Sequence, residues 1–359
     1  MKILLCIATL RSGGAEKNIS FLANFLSKKN HQVTILNFDK KKNKPFFLLN
    51  KKVRVINLDV LKNSNNLFFS IYNFFCRILL IRKFLIKEKF NYFISFINTM
   101  NITMLIASMF LNILKIISDR NNPYYDRNTI LIKILKILFY RHADKLVLQT
   151  KQVQKYYWFI KKKKIFLINN FFSDNFSKKT KYNLGKKIKI IIVSRIEKQK
   201  GLELLVSALN QIKKKYKFKC DIYGKGSMKI ELKKTIKKNN LSKLIFLKKP
   251  TNLENIYKKY DLYILSSIYE GYPNSLVEAM ITGLPVISSS CDYGPKEIIK
   301  NKYNGILFKV GSKNHLIKKI ELILNDYNFA RNLGKNAKHN YNSTIINKKN
   351  FDKWQKIIK

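Results

Sequence analysis

Two glutamates eight residues apart are the residues of this chain best suited to chemistry. Glu270 and Glu278 flank a Gly-x-Pro turn in the segment EGYPNSLVEAM, although only 21 of the 359 residues are acidic. Small polar residues after the proline predict a helix that begins about one turn before Glu278. Backbone N–H groups of Ser275 and Leu276 at that helix start can bind a phosphate. Because a carboxylate can accept from two vicinal hydroxyls, the spacing indicates a ribose–phosphate–sugar ligand.

A second segment, SRIEKQKG at 194–201, supplies positive charge for such a ligand. It follows the apolar run IKIIIVS, so Arg195 and Lys200 lie in a strand-to-helix loop, where α/β folds bind ligands. A guanidinium can hold a diphosphate by two parallel hydrogen bonds, and an ammonium acts as a point charge. With 62 lysines and nine arginines in the chain, Arg195 is the more informative of the two residues.

Two glycine-containing turns also follow predicted strands. In RSGGAE, Gly13 and Gly14 permit positive φ and close backbone approach, and the helix that follows offers its N–H groups and dipole to an anion. This segment lacks the G-x-G-x-x-G spacing of a dinucleotide-binding loop. In YGKGS, Gly224 and Gly226 stand in a similar position. An ordinary tight turn is the alternative for RSGGAE and the default interpretation for YGKGS.

These loops require a scaffold, and short β-rich runs that alternate with helical patterns predict one. Continuous apolar runs such as IKIIIVS are typical of parallel strands covered on both faces. Two series of alternating strands and helices predict an α/β fold with two doubly wound parallel sheets. The predicted strands are 2–8, 32–38, 53–58, 92–96, 116–118, 145–149, 165–168, 188–194, 219–223, 244–247, 262–266, 285–289 and 306–308.

A polar stretch near the middle of the chain, 169–187, predicts the boundary between two domains. We expect an N-terminal domain at 1–170, a linker at 171–187, a C-terminal domain at 188–340 and a final helix at 341–359. The apolar side of that final helix is expected to contain Ile345, Ile346, Phe351, Trp354 and Ile357.

Taken together, these motifs resemble glycosyltransferase family 4. The resemblance rests on the E-x7-E and S-R-x4-K-G segments, the GGAE opening, and GPKE at 294–297 followed by Asn304-Gly305. It is dense over 188–335 and thin between 39 and 141. It implies the GT-B fold, in which two Rossmann-like domains face each other across a cleft and a C-terminal helix crosses back to the N-terminal domain.

The resemblance also implies roles for individual residues. Glu278 would bind the ribose of the donor, and Glu270 would face the donor sugar as an orienting and electrostatic group. Lys248 and Lys249 would lie beside the base. Arg120 occupies the place of a histidine that many members hold near the reacting sugar, so the resemblance implies that it is catalytic together with Glu270; whether it contacts the donor phosphate or the acceptor stays open. The donor diphosphate would be bound by Arg195, Lys200, Gly13, Gly14, Ser275 and Leu276.

The activity that the resemblance implies is retaining transfer of a hexose or N-acetylhexosamine from a nucleotide-diphosphate sugar, with UDP favoured by analogy. The acceptor would be a lipid-linked glycan or surface polysaccharide. The acidic residues include no pair two positions apart, and the four histidines and four cysteines show no ligand spacing. We therefore expect no metal and no cofactor. The separated cysteines also predict no disulfide framework and a reducing compartment.

The net charge of +50 leaves other functions to consider. Residues 67–89 and 129–141 mix apolar with basic residues, which predicts amphipathic helices that dock on the anionic inner face of the cell membrane. Basic residues interrupt the longer apolar stretches, which excludes convincing membrane spans. The alternative is a basic membrane- or nucleic-acid-binding protein on a GT-B-like scaffold without transferase activity. Lysines spread over every segment, few arginines and no nucleic-acid-binding motif disfavour a nucleic-acid partner.

Overall fold

The computed structural model of the chain describes residues 1–40, 42–60, 67–120, 122–125, 130–182 and 187–358, with only the backbone at 67, 68 and 70. Small parts of the predictions therefore lie outside the described residues: position 129 of the second basic stretch, 183–186 of the linker, and 359 of the final helix. The chain divides into two compact units. The N-terminal unit is Met1–Phe171 with Lys348–Lys359, and the C-terminal unit is Phe172–Asn347.

The N-terminal unit contains a seven-stranded parallel sheet in the order β3-β2-β1-β4-β5-β6-β7. The chain order reverses between β1 and β4, the kind of position where doubly wound sheets bind ligands. Its elements are β1 (Lys2–Cys6), α1 (Gly14–Lys28), β2 (Gln32–Asn37), β3 (Arg54–Asn57), α2 (Leu67–Glu88), β4 (Tyr92–Phe96), α3 (Asn98–Ala107), β5 (Leu114–Ser118), α4 (Ile130–Tyr140), β6 (Lys145–Leu148) and β7 (Ile165–Leu167).

The C-terminal unit repeats this arrangement with six parallel strands in the order β10-β9-β8-β11-β12-β13, so its reversal lies between β8 and β11. The chain ends in α11 (Ser343–Ile358). The other elements are β8 (Ile188–Val193), α5 (Leu202–Ile212), β9 (Phe218–Tyr223), α6 (Lys229–Lys238), β10 (Ile245–Lys248), β11 (Leu262–Leu265), α7 (Asn274–Thr282), β12 (Val286–Ser289), α8 (Pro295–Ile298), β13 (Ile306–Phe308), α9 (Lys313–Asn325) and α10 (Tyr327–Asn340).

The predicted α/β fold is confirmed, and each of the thirteen predicted strands is found within two residues of its expected ends. Strands of continuous apolar sequence are buried along their whole length, as in β4 and β11. Helices on both faces of a parallel sheet leave the central strands no contact with water. The sequence pattern alone therefore specifies these strands.

The final helix departs from its predicted orientation. Trp354 and Ile357 pack in the core of the N-terminal unit as expected, but Ile345 is 66% exposed. Two polar residues are buried instead. Asn347 donates to the carbonyl of Phe172 and accepts from its N–H, and Asn350 donates to the carbonyl of Asn170. These amides satisfy buried backbone groups of a segment without regular secondary structure, a requirement that apolar periodicity does not reveal.

Candidate active site

The reversal of strand order in the C-terminal unit brings two of the predicted segments together. Strands β8 and β11 are hydrogen-bonded neighbours, with Ile190 paired to Leu262. Their carboxyl ends therefore lie at the same edge of the sheet. Arg195 and Lys200 follow β8, and Glu270 follows β11. The topology thus places both cations and one carboxylate at the ligand-binding edge of the sheet.

Lys200 and Glu270 form an ion pair at this edge. The ammonium donates to Glu270 Oε1 at 2.6 Å, and the Ser267 hydroxyl donates to the same oxygen at 2.6 Å. The two charged side chains are only 13% and 7% exposed. Water screens such a pair poorly, so the charge of Glu270 is largely neutralised by its neighbours.

The loop that carries the cations is held by the backbone of the adjacent strand end. Gly201 has φ +57°, and an added Cβ would lie 2.4 Å from the carbonyl oxygen of Ser266. The Ser266 hydroxyl donates to the carbonyl of Lys200 at 2.9 Å. Gln199 donates to the carbonyl of Tyr269 and accepts from the exposed Arg195 guanidinium at 3.1 Å. The glycine thus permits the close approach that positions Lys200 beside Glu270.

The glycine turn after β9 supports the same loop from its other side. Added Cβ atoms at Gly224 and Gly226 would lie 1.9 Å and 2.2 Å from the carbonyl oxygens of Ser194 and Ile196. Only glycine allows backbone segments to approach so closely. This turn therefore has the structural role that is the default interpretation of its sequence.

The second glutamate lies inside α7, which begins at Asn274 as expected. Glu278 is 8% exposed, and its Oε2 accepts from the hydroxyl of the fully buried Tyr257 at 3.2 Å. Tyr263 and Ser275 share a hydrogen bond of 2.8 Å between their hydroxyl groups. Burial, followed by the charge of Glu278, raises the pKa of the Tyr257 phenol, which therefore remains a hydrogen-bond donor.

Three other groups of the C-terminal unit are predicted to contact the donor: the Leu276 N–H, Lys248 and Lys249. The N–H of Leu276, proposed to contact phosphate, donates to the carbonyl of Pro273 at 3.1 Å. Lys248 ends β10 and is exposed, as is Lys249. The carbonyl of Lys248 accepts from the N–H of Gly224. Both lysines therefore lie at the carboxyl edge, beside the glycine turn, and their contact with a base stays a prediction.

The glycine turn of the N-terminal unit differs from its expected conformation. Gly13 has φ −164°, an extended backbone that any residue can adopt, and Gly14 is not among the glycines with positive φ. The carboxylate of Glu16 lies over Gly13 and accepts from the Thr9 hydroxyl at 3.2 Å. An acidic side chain at a helix N-terminus is favourable, so α1 carries an anion of its own there.

Arg120 lies two residues beyond the end of β5 and is 9% exposed. Its guanidinium donates to the Ser118 hydroxyl at 2.7 Å and to Asn170 Oδ1 at 2.6 Å, and it lies 4.8 Å from the centroid of the Phe96 ring. Burial lowers its pKa, and the charge of Asp119 opposes that shift. Arg120 is therefore a rigidly held cation at the carboxyl edge of its sheet.

The neighbouring Asp119 belongs to a buried network that the sequence did not reveal. Lys136 of α4 donates to Asp119 Oδ2 at 2.7 Å, and the two side chains are 1% and 0% exposed. The hydroxyl of Tyr157 donates to the same carboxylate. The Lys136 ammonium lies 5.3 to 5.4 Å from the centroids of three aromatic rings, those of Tyr140, Tyr156 and Tyr157. Lys136 belongs to the stretch predicted as a basic amphipathic helix, but it is buried in this network and does not add to the basic surface.

Sequence reasoning missed further residues because their signals are weak. Ser267 stands three positions before Glu270, and a polar residue at a strand end was its only cue. Tyr257 and Tyr263 had no cue, because buried aromatics look like core. Within the described part of the chain, no three His, Cys, Asp or Glu residues are grouped so as to hold a metal ion.

Comparison with known proteins adds to this geometry. Residues 174–340 match the family model described as "Glycosyl transferases group 1". Over 361 aligned residues the chain is 32% identical to a Campylobacter jejuni protein, covering 100% of this chain and 98% of the relative. That protein is named GalNAc-α-(1→4)-GalNAc-α-(1→3)-diNAcBac-PP-undecaprenol α-1,4-N-acetyl-D-galactosaminyltransferase.

Solved structures share the fold at low sequence identity. Sucrose-phosphate synthase from Thermosynechococcus elongatus superposes with a TM-score of 0.87 at 17% identity, over 99% of each chain. HepE from Anabaena, crystallised with UDP-glucose, superposes with a TM-score of 0.78 at 16% identity, over 99% of this chain and 100% of that one.

Proposed function

We propose that this chain extends a lipid-linked glycan. The premise is that it belongs to the glycosyl transferases group 1 family and is a glycosyltransferase of GT-B fold. The donor is a UDP-linked hexose or N-acetylhexosamine, and the anomeric configuration is retained. The full-length similarity to a transferase named for a PP-undecaprenol-linked glycan supports the acceptor class. The cluster of Arg195, Lys200 and Glu270 at one sheet edge supports the donor diphosphate.

The chemistry follows from the charges at that edge. The bond between the sugar C1 and the diphosphate oxygen breaks, and a bond from C1 to the acceptor oxygen forms on the same face. The proton of the acceptor hydroxyl moves to the departing phosphate oxygen. Negative charge grows on the diphosphate as it leaves, and the guanidinium of Arg195 and the ammonium of Lys200 stabilise it. Because both cations lie on the same loop, only their side chains have to turn toward the diphosphate, and the backbone that carries them can stay in place.

Glu270 acts in this scheme by orientation and charge rather than as a covalent nucleophile. Its Oε1 already accepts from Lys200 and Ser267, both at 2.6 Å. Two such donors stabilise the anion and lower its reactivity as a nucleophile. The carboxylate instead orients donor-sugar hydroxyls and stabilises positive charge that develops at C1.

A donor screen tests this proposal. Purified protein is incubated with a panel of nucleotide sugars and a membrane lipid extract, and the released nucleotide is identified. We expect UDP release that depends on the lipid extract, and an NMR spectrum of the product with the anomeric configuration of the donor. An inverted product would contradict retention, and release of another nucleotide would contradict the choice of UDP. Full activity lost in chelator and restored by magnesium would contradict the expected metal independence.

The acceptor class also requires access to a bilayer, and α2 and α4 offer a surface for it. Both helices pack against α3. No described helix is long and apolar enough to cross a membrane. We define the apolar–basic surface as the large apolar and basic residues that are exposed on α2 and α4, together with Arg141 directly after α4: Phe69, Ile71, Tyr72, Phe75, Leu79, Leu80, Lys83, Ile86, Lys87, Ile130, Leu131, Lys133, Ile134, Leu138 and Arg141.

This surface fits the interface of an anionic membrane. Leu131 and Leu138 are 57% and 48% exposed, whereas Lys136 and Tyr140 of the same helix are buried. The helix therefore turns apolar side chains outward because Lys136 and Tyr140 face inward and complete an internal network. Apolar side chains ringed by lysine and arginine can insert into the headgroup region while the cations meet lipid phosphates.

Flotation with vesicles of phosphatidylglycerol and phosphatidylcholine tests the docking. We expect the wild type to float at moderate salt, and the double variant Leu131→Glu, Leu138→Glu to lose about tenfold or more of its binding. Ile230→Glu is the matched control, because Ile230 is 73% exposed on α6 of the C-terminal unit. A wild type that stays unbound, or a control variant affected equally, would exclude this surface.

A further inference from the structure

Two buried phenols lie against the start of α7, and neither belongs to the motifs that the sequence displays. Tyr257 comes from the turn that precedes β11 and is 0% exposed. Its hydroxyl donates to Glu278 Oε2 at 3.2 Å and approaches the carbonyl of Ser275 at 3.4 Å. Tyr263 of β11 hydrogen-bonds the Ser275 hydroxyl. These bonds tie α7 to β11 and to the turn that precedes it.

We propose that Tyr257 is a positioning residue for donor binding, which fixes the carboxylate plane of Glu278 so that it meets the ribose hydroxyls without reorientation. This inference rests on the proposed role of Glu278 as the ribose acceptor. A glutamate has three rotatable bonds, and a side chain already held in its binding geometry loses less entropy when a ligand arrives. A missing Tyr257 hydroxyl would therefore weaken binding of any ligand that carries the ribose.

The phenol is itself held firmly enough for this role. The Tyr257 ring packs against Phe176 with centroids 6.0 Å apart and against Tyr263 at 6.3 Å. All three side chains belong to one buried cluster with Leu276 and Val277 of α7. A ring enclosed in a close-packed core cannot follow a carboxylate that swings away. The hydroxyl is therefore a fixed hydrogen-bond partner for Glu278 Oε2.

A matched control exists three residues further along the chain. The Tyr260 hydroxyl also bonds a buried carboxylate, donating to Asp221 Oδ2 at 2.6 Å, and it lies 3.1 Å from the Tyr223 hydroxyl. Its bonds are to β9 and not to α7. Tyr260→Phe thus removes a comparable buried phenol–carboxylate bond from the same unit, with a comparable cost in stability, but leaves Glu278 in place.

Calorimetric titration of full-length protein with UDP and with uridine tests the inference. We expect Tyr257→Phe to raise both dissociation constants by about five- to tenfold, because both ligands carry the ribose, and Tyr260→Phe to change them less than about twofold. In turnover assays, Tyr257→Phe should raise the donor KM and leave kcat within about twofold.

The outcomes separate this inference from the function on which it rests. If Glu278→Gln weakens UDP and uridine binding but Tyr257→Phe behaves like Tyr260→Phe, the Tyr257 hydroxyl is only structural and the inference is wrong. If UDP does not bind to the wild type, or Glu278→Gln binds UDP unchanged, the proposed role of Glu278 fails and the inference falls with it.

Discussion

Each unit buries a lysine–carboxylate pair beyond the end of a strand, and the two pairs differ in their surroundings. In the N-terminal unit, Lys136 and Asp119 are 1% and 0% exposed and enclosed by tyrosines. In the C-terminal unit, Lys200 and Glu270 are 13% and 7% exposed at the point where strand order reverses. One pair is sealed inside the protein, whereas the other borders the kind of sheet edge where doubly wound folds bind ligands.

The difference in solvent exposure determines what each pair can do. Separating a sealed pair leaves a charge without water or partner, which costs several kcal/mol, so Lys136 and Asp119 hold their geometry and fix the strand end that precedes Arg120. A pair with access to solvent can exchange partners at lower cost. We infer that Lys200 can turn from Glu270 toward a diphosphate, and that Lys136 has no such freedom.

Removing one member of the sealed pair should have the largest effect. We expect Lys136→Met to destabilise the N-terminal unit by about 3–5 kcal/mol, because the Asp119 carboxylate is left buried and unpaired. The buried thiols of Cys6 and Cys220 report the two units separately. Brief alkylation along a urea series, read by mass spectrometry, should label Cys6 at lower urea than in the wild type, with Cys220 less affected.

The double variant Asp119→Asn, Lys136→Met sharpens this test. With both charges removed, much of the stability should return, since a buried pair adds little over uncharged residues of similar size. If the double variant is as unstable as Lys136→Met alone, shape and not charge explains the loss, and the contrast between the pairs is wrong.

The open pair, Lys200 and Glu270, should show the opposite pattern: substitution should have a large effect on turnover and a small one on stability. We expect Glu270→Gln to lower kcat about 100-fold, or about 2.7 kcal/mol in activation free energy. Its cost in stability should be on the order of 1 kcal/mol, because Lys200 retains some contact with water. Steady-state kinetics and urea unfolding of the same preparation measure both. A stability loss equal to that of Lys136→Met would remove the distinction.

A glycine substitution tests how far the open pair depends on its loop. Gly201→Ala should cost about 1–2 kcal/mol from its left-handed conformation, and the added methyl meets the Ser266 carbonyl. The displaced loop should raise the donor KM. Gly311 has φ +74° with no neighbouring atom within 4 Å of an added Cβ. Gly311→Ala should therefore lose stability only through the strain of its left-handed backbone and leave KM unchanged. Equal KM values for both variants would mean that loop geometry is unimportant.

The smallest effect concerns thiol chemistry beside the open pair. Burial raises the pKa of Cys291 to about 11, and its thiol donates to the Ser267 carbonyl at 3.3 Å. Iodoacetamide at pH 8 should therefore label the exposed Cys76 rapidly and Cys291 hardly at all. Rapid modification of Cys291 would show that the sheet edge around Lys200 and Glu270 opens to the reagent, contrary to the burial of this ion pair.

Much of the fold could be predicted from the sequence, whereas the site could be predicted only in part. Parallel strands such as β11 are apolar throughout, so their positions are visible as runs. Glu270 and Arg195 stood out because acidic residues and arginines are scarce here. Tyr257 and Lys136 did not, because an aromatic residue suits any core and one lysine among 62 carries no signal.

The sequence by itself determined the alternation of strands and helices, and with it the strand ends from which the site is built. Apolar periodicity is a local property, and each segment expresses it without reference to the others. Only the tertiary structure decided that Lys200 meets Glu270, that Tyr257 holds Glu278 and that Lys136 is buried with Asp119. These pairs join residues 17 to 70 positions apart, and sheet topology and close packing, rather than local pattern, bring them within a hydrogen bond.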